Sequence, residues 1–368
     1  MLPFEPSRGE GVFLEDENGR RVLDFYGGHA VAALGYGHPR LTRAIVEQMQ
    51  TLHFQSNVVP LKVRDRAADA LAEFAPEGLD RVFFVNSGAE ANENALKLAL
   101  KLTGRKKVVA VEHSFHGRSA AAGAVTWGAQ RSWYGFPRTP MDVTFVPRDD
   151  VAAVKAAIDG DTAAFIVEPV QGLAGAYEFS RQFLHAAREA CDDHGAMLIL
   201  DEVQSGMGRL GEPFGAQLYE LLPDLLTTAK GLAGGLPAGA VIMKDSIATQ
   251  LRPGELGTTF GGAPIACAAI ETVIAVIRED NLLERVRECS AQIQRQCLTG
   301  PVESMRGHGY LLGLRSKTKA SVLRDALLGR DILAGTSADP HVLRLLPPLI
   351  LEPSHVERLA TALTEIIL

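Results

Sequence analysis

Two charged residues stand at the ends of apolar runs, where chemistry could begin. Met197 to Leu200 is an apolar run that stops at Asp201, and Leu225 to Ala229 is a second that stops at Lys230. Such short runs bounded by polar residues fit strands buried on both faces of an α/β sheet, and ligands gather at the carboxyl edge of such sheets. The pattern predicts that Asp201 and Lys230 meet there. They could form a plain ion pair, since structural carboxylate–ammonium pairs are common. They could also do covalent chemistry. A lysine whose pKa is lowered by its surroundings attacks carbonyl carbons, and pyridoxal phosphate needs such a lysine plus an acidic partner for its pyridinium nitrogen.

A third element could hold the phosphate of such a group. Val82 to Val85 breaks into Asn86-Ser87-Gly88-Ala89-Glu90 and runs on as ANENALKLALKL, with apolar residues at helical spacing. Strand, tight turn and helix amino terminus present free backbone N–H groups and the positive end of a dipole to an anion, and Ser87 adds a hydroxyl. An ordinary N-cap serine would look the same in sequence. Further apolar runs at Val108 to Val111, Val143 to Val146 and Ala164 to Val167, then a helical pattern from Arg181 to His194, give an α/β class with a mostly parallel sheet.

Ahead of these, Asn18-Gly19 between apolar runs predicts a hairpin within Gly11 to Phe25. Amphipathic spacing predicts helices over Arg40 to Thr51 and Val63 to Phe74. Past Lys230, a glycine-rich loop and a short strand lead to Gly257-Thr258-Thr259-Phe260-Gly261-Gly262, a second loop bearing hydroxyls. A long apolar helix from about Ile265 to Arg278 follows; Glu271 and its length argue against a membrane span. Arg344 lies inside an apolar run, where its charge needs a carboxylate from the protein or a bound acid.

Three patterns are set aside. Gly206, Gly208 and Gly211 match a dinucleotide fingerprint, but Glu212-Pro213-Phe214-Gly215 stands where a helix should open. His113 and His116 lie three apart without a carboxylate or cysteine at ligand spacing, so no metal site is expected. Cys191, Cys267, Cys289 and Cys297 form no CxxC pair and read as reduced thiols.

The 368 residues can bury more than one core. With 44 acidic and 37 basic side chains the net charge is −7, so no chain-wide basic field invites nucleic acid or anionic lipid. A small molecule is the expected partner. MLPFEPSRGEG carries no apolar core of signal-peptide length, and the expected location is cytoplasmic.

The ordered motifs LDFYGGHAVAALGYGHP, NSGAEANENALKLA, FHGR, EPVQG, DEVQSGMGR, LLTTAKGLAGGLP, GTTFGGAP and RLLPPLILE resemble the class III (subgroup II) aminotransferases of the fold-type I pyridoxal phosphate enzymes. Within that family the chain is similar to acetylornithine aminotransferases and to enzymes of lysine biosynthesis that handle a carrier-linked aminoadipate semialdehyde. The resemblance implies a large cofactor-binding domain, residues 46–257, with a mostly parallel seven-stranded sheet. A smaller α+β domain would come from both termini, residues 1–45 and 258–368. It implies Lys230 as the lysine bonded to the cofactor and Asp201 as partner of the pyridinium nitrogen. Ser87, Gly88 and Ala89 would hold the phosphate, Gln204 the phenolic oxygen, and Phe115 and Val203 the two ring faces. Thr259 would reach the phosphate of a neighbouring subunit, which implies a homodimer with composite sites.

Arg344 would take the α-carboxylate of glutamate, and Arg118 the carboxylate of an acylated ornithine. The implied activity is ping-pong transfer of the ω-amino group of an N-acylated ornithine-like diamino acid, N-acetylornithine first, to 2-oxoglutarate. The alternative is another ω-amine or ω-amino acid, such as 4-aminobutyrate or ornithine. One position departs from the pattern: relatives read QGEGG or QGEAG where this chain has Gln171-Gly172-Leu173-Ala174-Gly175, so the glutamate that masks the glutamate-binding arginine is replaced by Leu173.

Overall fold

The structure, a computed structural model, describes residues 2–367. Its central sheet has seven strands: β1 (Arg81–Val85), β2 (Lys107–Val111), β3 (Asp142–Val146), β4 (Thr162–Val167), β5 (Met197–Asp201), β6 (Leu225–Thr228) and β7 (Gly239–Met243). They lie in the order β1-β7-β6-β5-β4-β2-β3. All are parallel except β7, which runs against both of its neighbours. The connection from β6 to β7 explains this exception. It contains one tight turn, Lys230–Ala233, and no crossover helix, so the chain can only double back.

Alternation along the strands feeds two cores. Leu198, Leu200, Phe165 and Val167 pack on one face, while Ile199, Ala164 and Ile166 pack on the other. Burial on both faces is why these strands read as unbroken apolar runs. Helix α1 (Gly88–Thr103) covers the second face. The predicted helices appear as Pro39–Leu52, Lys62–Phe74 and Pro264–Glu279, and the last packs against both of the others. Among the described residues no helix is long and apolar enough to cross a membrane.

The hairpin pairs Phe13–Glu15 with Arg21–Asp24. Its connection is longer than a two-residue turn because Asp16 organises it: Oδ1 accepts from the N–H groups of Asn18 and Arg20, both at 2.9 Å. Ile332–Leu333 joins this small sheet parallel to Arg21–Asp24, bringing distant parts of the chain side by side. A second small sheet holds Val302–His308, Leu311–Ser316, Val342–Leu345 and Gly335–Thr336 in that order. Arg344 belongs to it, between two neighbouring strands.

Candidate active site

The carboxyl ends of β5 and β6 open onto a cavity of about 490 Å³, within the ~300–1,000 Å³ usual for small-molecule sites. Asp201 is the last residue of β5, and Lys230 follows β6 by two positions. Both line the cavity, together with Ser87, Gly88, Ala89, Phe115, Arg118, Val203 and Gln204. Nine of the eleven residues singled out in the sequence therefore share one wall system. Thr259 and Arg344 do not line it.

Asp201 and Lys230 meet at this edge, and of the two arrangements open from sequence the plain ion pair is not formed. Among the described residues no ammonium lies within 4.0 Å of Asp201. Its Oδ2 instead accepts from Asn92 Nδ2 and His116 Nδ1, each at 2.7 Å, and Oδ1 accepts from the Val203 N–H at 3.0 Å. Because a carboxylate oxygen accepts, the imidazole proton sits on Nδ1, and His116 Nε2 is left buried without a partner. Asn92 is locked in turn: it also donates to the His116 carbonyl at 2.7 Å and accepts from Thr227 Oγ1 at 2.7 Å. Three donors thus fix the orientation of Asp201, which lines the same cavity as Lys230.

Lys230 is held by its backbone. Its φ of 47° lies in the left-handed region, unusual for a side chain of this size. Burial lowers the Lys230 pKa, against the opposing pull of Asp201 and Glu168 and with help from Arg344 and Arg209. A lowered pKa makes the neutral, nucleophilic amine accessible.

Opposite lies the start of α1. Ser87 is its N-cap, with Oγ accepting from the Glu90 N–H at 3.2 Å, and Glu90 Oε2 accepts from the Asn86 N–H at 2.8 Å. Ser87, Gly88 and Ala89 at this helix start line the cavity, and the free N–H groups of a helix's first turn suit an anion. Gly88 is glycine for a packing reason: a Cβ there would stand 2.7 Å from Val203 Cγ1. Gly172 is likewise filled by a neighbour, since its Cβ would collide with Gln204 Oε1.

Arg344 is buried and has no carboxylate partner among the described residues. Its Nε donates to the Thr336 carbonyl at 2.8 Å, Nη2 to Tyr26 OH at 3.2 Å and Nη1 to Gln204 Oε1 at 3.5 Å. Gln204 links it to the cavity wall. Leu173 is 38% exposed and touches the surrounding backbone through its carbonyl, which accepts from the Ala338 N–H at 2.8 Å. Thr259 is exposed in its loop beside Phe260, which packs on Phe54.

Asn92, His116 and Glu168 escaped the sequence reading as site residues. Glu168 is buried at the cavity wall, accepts from the N–H groups of Phe115 at 2.9 Å and Gly172 at 3.2 Å, and has its pKa raised by burial. The only available signal for it was Glu168-Pro169, a charge directly after the apolar run of β4. His113 and His116 part company: His113 is exposed and packs on Trp127, whereas His116 turns inward to Asp201. Among the described residues no three His, Cys, Asp or Glu side chains are grouped to hold a metal.

The donor set fits pyridoxal phosphate: helix N–H groups for a phosphate, a fixed carboxylate for a ring nitrogen, and a lysine of lowered pKa for an aldehyde. Fold and cavity together define a fold-type I pyridoxal phosphate enzyme. Comparison with known proteins gives the narrower family. The family model of aminotransferase class-III matches residues 1–367. The acetylornithine aminotransferase of Methanopyrus kandleri is 41% identical over 97% of this chain and 92% of its own length. The crystal structure of the acetylornithine aminotransferase from Elizabethkingia anophelis superposes with a TM-score of 0.88 at 30% identity, covering 100% of this chain and 95% of that one. That of the ornithine aminotransferase from Toxoplasma gondii, with pyridoxal phosphate partially occupying its active site, gives 0.91 at 29% identity over 99% and 89%. The chain belongs to the class III aminotransferases, whose cofactor is pyridoxal phosphate.

Proposed function

We propose that the protein moves the ω-amino group of an N-acylated ornithine-like diamino acid, N-acetylornithine in the first place, to 2-oxoglutarate. The observation that carries this reading is a pair of arginines without carboxylate partners among the described residues, Arg118 on the cavity wall and Arg344 behind Gln204. Two free guanidinium forks beside one reactive lysine suit substrates that carry carboxylates away from the reacting nitrogen. Relatives named acetylornithine aminotransferase, at 37–41% identity over nearly the full chain, support the choice of donor. The reading assigns the enzyme to cytoplasmic arginine or lysine biosynthesis.

In this reading Lys230 and Asp201 are catalytic. Bound cofactor would supply a carbonyl carbon for the incoming nitrogen and a ring that takes up electron density. Lys230 removes a proton from the substrate carbon at Nζ and returns it, which its lowered pKa favours. Asp201, aimed by Asn92, His116 and Val203, holds the ring nitrogen's proton. The first turn of α1, with Ser87, Gly88 and Ala89, binds the phosphate; Phe115 and Val203 flank the ring, and Gln204 meets its phenolic oxygen. Thr259 serves the neighbouring subunit of a homodimer. Support for the dimer is the apolar surface of Val46, Met49, Val58 and Phe260, exposed by 47%, 57%, 89% and 63%. The division into 46–257 and 1–45 with 258–368 belongs to the same proposal, supported by the pairing of Ile332–Leu333 with Arg21–Asp24.

A panel of amino donors, scored by bleaching of the cofactor absorbance and its recovery with 2-oxoglutarate, tests the assignment. N-acetylornithine should bleach fastest. A second reading, transfer from another ω-amine or ω-amino acid, rests on Leu173, since among the described residues no carboxylate covers Arg344. Preference for 4-aminobutyrate or unacylated ornithine in the panel would select it.

A further inference from the structure

Arg118 stands at the cavity mouth with no carboxylate partner and no hydrogen-bond acceptor among the described residues, yet two aromatic rings hold it. Its Cζ lies 5.7 Å from the centroid of Phe115 and 5.2 Å from that of Trp133. Both distances fall inside the ~6 Å reach of a cation–π contact. Phe115 lines the cavity, whereas Trp133 comes from the segment beyond it and is 37% exposed.

The indole is itself seated. Trp133 follows the short helix Ala129–Ser132, with its backbone N–H donating to the Ala129 carbonyl at 2.9 Å. The next residue, Tyr134, is buried and donates from its hydroxyl to the Ala120 carbonyl at 2.6 Å. Gly123, the one glycine in an alanine-rich helix, makes room for both rings: a Cβ there would meet Tyr134 at 3.1 Å and Trp133 Cζ3 at 3.5 Å. A flexible arginine is thus positioned by groups that do not use its N–H donors. A carboxylate neighbour would position it too, but would occupy the fork that a substrate needs.

We propose that Trp133 is a positioning residue for Arg118, holding its guanidinium through the ring face so that the N–H fork stays free for the carboxylate of the amino donor. The proposal rests on the reading that the site takes a carboxylate-bearing donor. Because the contact is made before and after the chemical step alike, its loss raises KM and leaves kcat nearly unchanged.

The test uses the holoenzyme with Trp133→Leu, which keeps apolar bulk, and Trp133→Phe, which keeps a ring. With N-acetylornithine, Trp133→Leu should raise KM about two- to fivefold, and Trp133→Phe should restore most of the loss. With N-acetylputrescine, the same amine without the carboxylate, the three proteins should have equal KM. A second arm needs no substrate. The chain has two tryptophans, so in a Trp127→Phe background the emission reports Trp133 alone, and Arg118→Gln should shift it. Unchanged KM for N-acetylornithine in Trp133→Leu, an equal loss with N-acetylputrescine, or an emission indifferent to Arg118→Gln would each overturn the proposal. If wild type prefers a donor lacking N-acylation, the proposed function fails separately, and the KM series is run with its best carboxylate-bearing donor.

Discussion

The neighbouring strands β5 and β6 carry charge at both edges of the sheet, and the two edges are built in opposite ways. At the amino edge Asp224, just ahead of β6, accepts from Arg188 Nη1 at 2.8 Å, Lys244 Nζ at 2.6 Å and the Leu198 N–H at 2.8 Å. Burial pushes the Asp224 carboxyl up, but these partners outweigh it and its pKa ends below the ordinary value. At the carboxyl edge Asp201 has three donors, Lys230 has a strained backbone and a lowered pKa, and among the described residues neither has an oppositely charged partner within 4.0 Å except the His116 ring. The same residue types make a closed cluster at one edge and a held-apart pair at the other. Ion pairing satisfies charge, and a site that must bind something charged leaves it unsatisfied.

Breaking the open edge should abolish turnover and spare the fold. Lys230→Ala removes the proposed nucleophile and proton carrier, so kcat should fall by at least ~10⁴-fold, while the thermal midpoint of the apoprotein holds or rises as a buried lysine on a strained backbone is replaced. Borohydride labelling of the wild type followed by peptide mapping should mark Lys230; label on another lysine would refute the assignment. Asp201→Asn comes next, with a loss of about 10³ in kcat and little change in KM, because the interaction matters most as charge develops. Near-normal kcat would remove Asp201 from the chemistry.

Those two residues were legible because each ends an apolar run, a property of local sequence. The start of α1 was legible for the same reason, since a strand, a turn and a helix pattern follow one another directly. What surrounds Asp201 was not. Asn92, His116 and Thr227 lie on α1, the loop after β2 and strand β6, and only the spatial order of the sheet brings them to one carboxylate. That Asp201 and Lys230 come to one edge of the sheet was readable from residue types, while the choice between an ion pair and a held-apart pair was not, because these uncharged and aromatic donors had no signature of their own. The antiparallel β7 was visible as a strand, while its direction depended on the absence of a crossover helix. Arg344 was recognisable as a costly charge in a strand, but the backbone carbonyl and tyrosine that hold it come from elsewhere in the fold.

Breaking the closed edge should do the reverse. Asp224→Asn strips Arg188 and Lys244 of their shared partner, and both are partly shielded, with side chains 14% and 29% exposed. The cost should be about 1–3 kcal/mol of stability, discounted for that residual exposure, with kcat and cofactor absorbance unchanged. The pH dependence has a definite sign. A carboxylate with a lowered folded pKa contributes stability above its unfolded pKa, about 3.9, and loses it as pH falls through the folded value. Wild type and Asp224→Asn should therefore differ in urea midpoint at neutral pH and converge as pH falls through the lowered pKa of the folded carboxyl. A difference that persists in acid would show that the amide changes packing rather than charge pairing.

The smallest effect sharpens the open edge, at Ser87. Its Oγ accepts from the Glu90 N–H as an N-cap, and that role was one of two open from sequence, the other being donation to a phosphate. The two are compatible, because a hydroxyl accepts through a lone pair and still has its own proton to donate. Two substitutions separate them. Ser87→Ala loses both cap and donor, so the apoprotein should lose about 1 kcal/mol and the holoenzyme should release pyridoxal phosphate faster. Ser87→Gly is tolerated at an N-cap at a cost of only a few tenths of a kcal/mol, yet it lacks the hydroxyl just as alanine does. If the hydroxyl donates to the phosphate, the two variants should differ in apoprotein urea midpoint and agree in cofactor dissociation rate, both faster than wild type. Should cofactor release from Ser87→Gly match the wild type, the hydroxyl only caps the helix, and the phosphate is held by the backbone N–H groups of Gly88 and Ala89 alone.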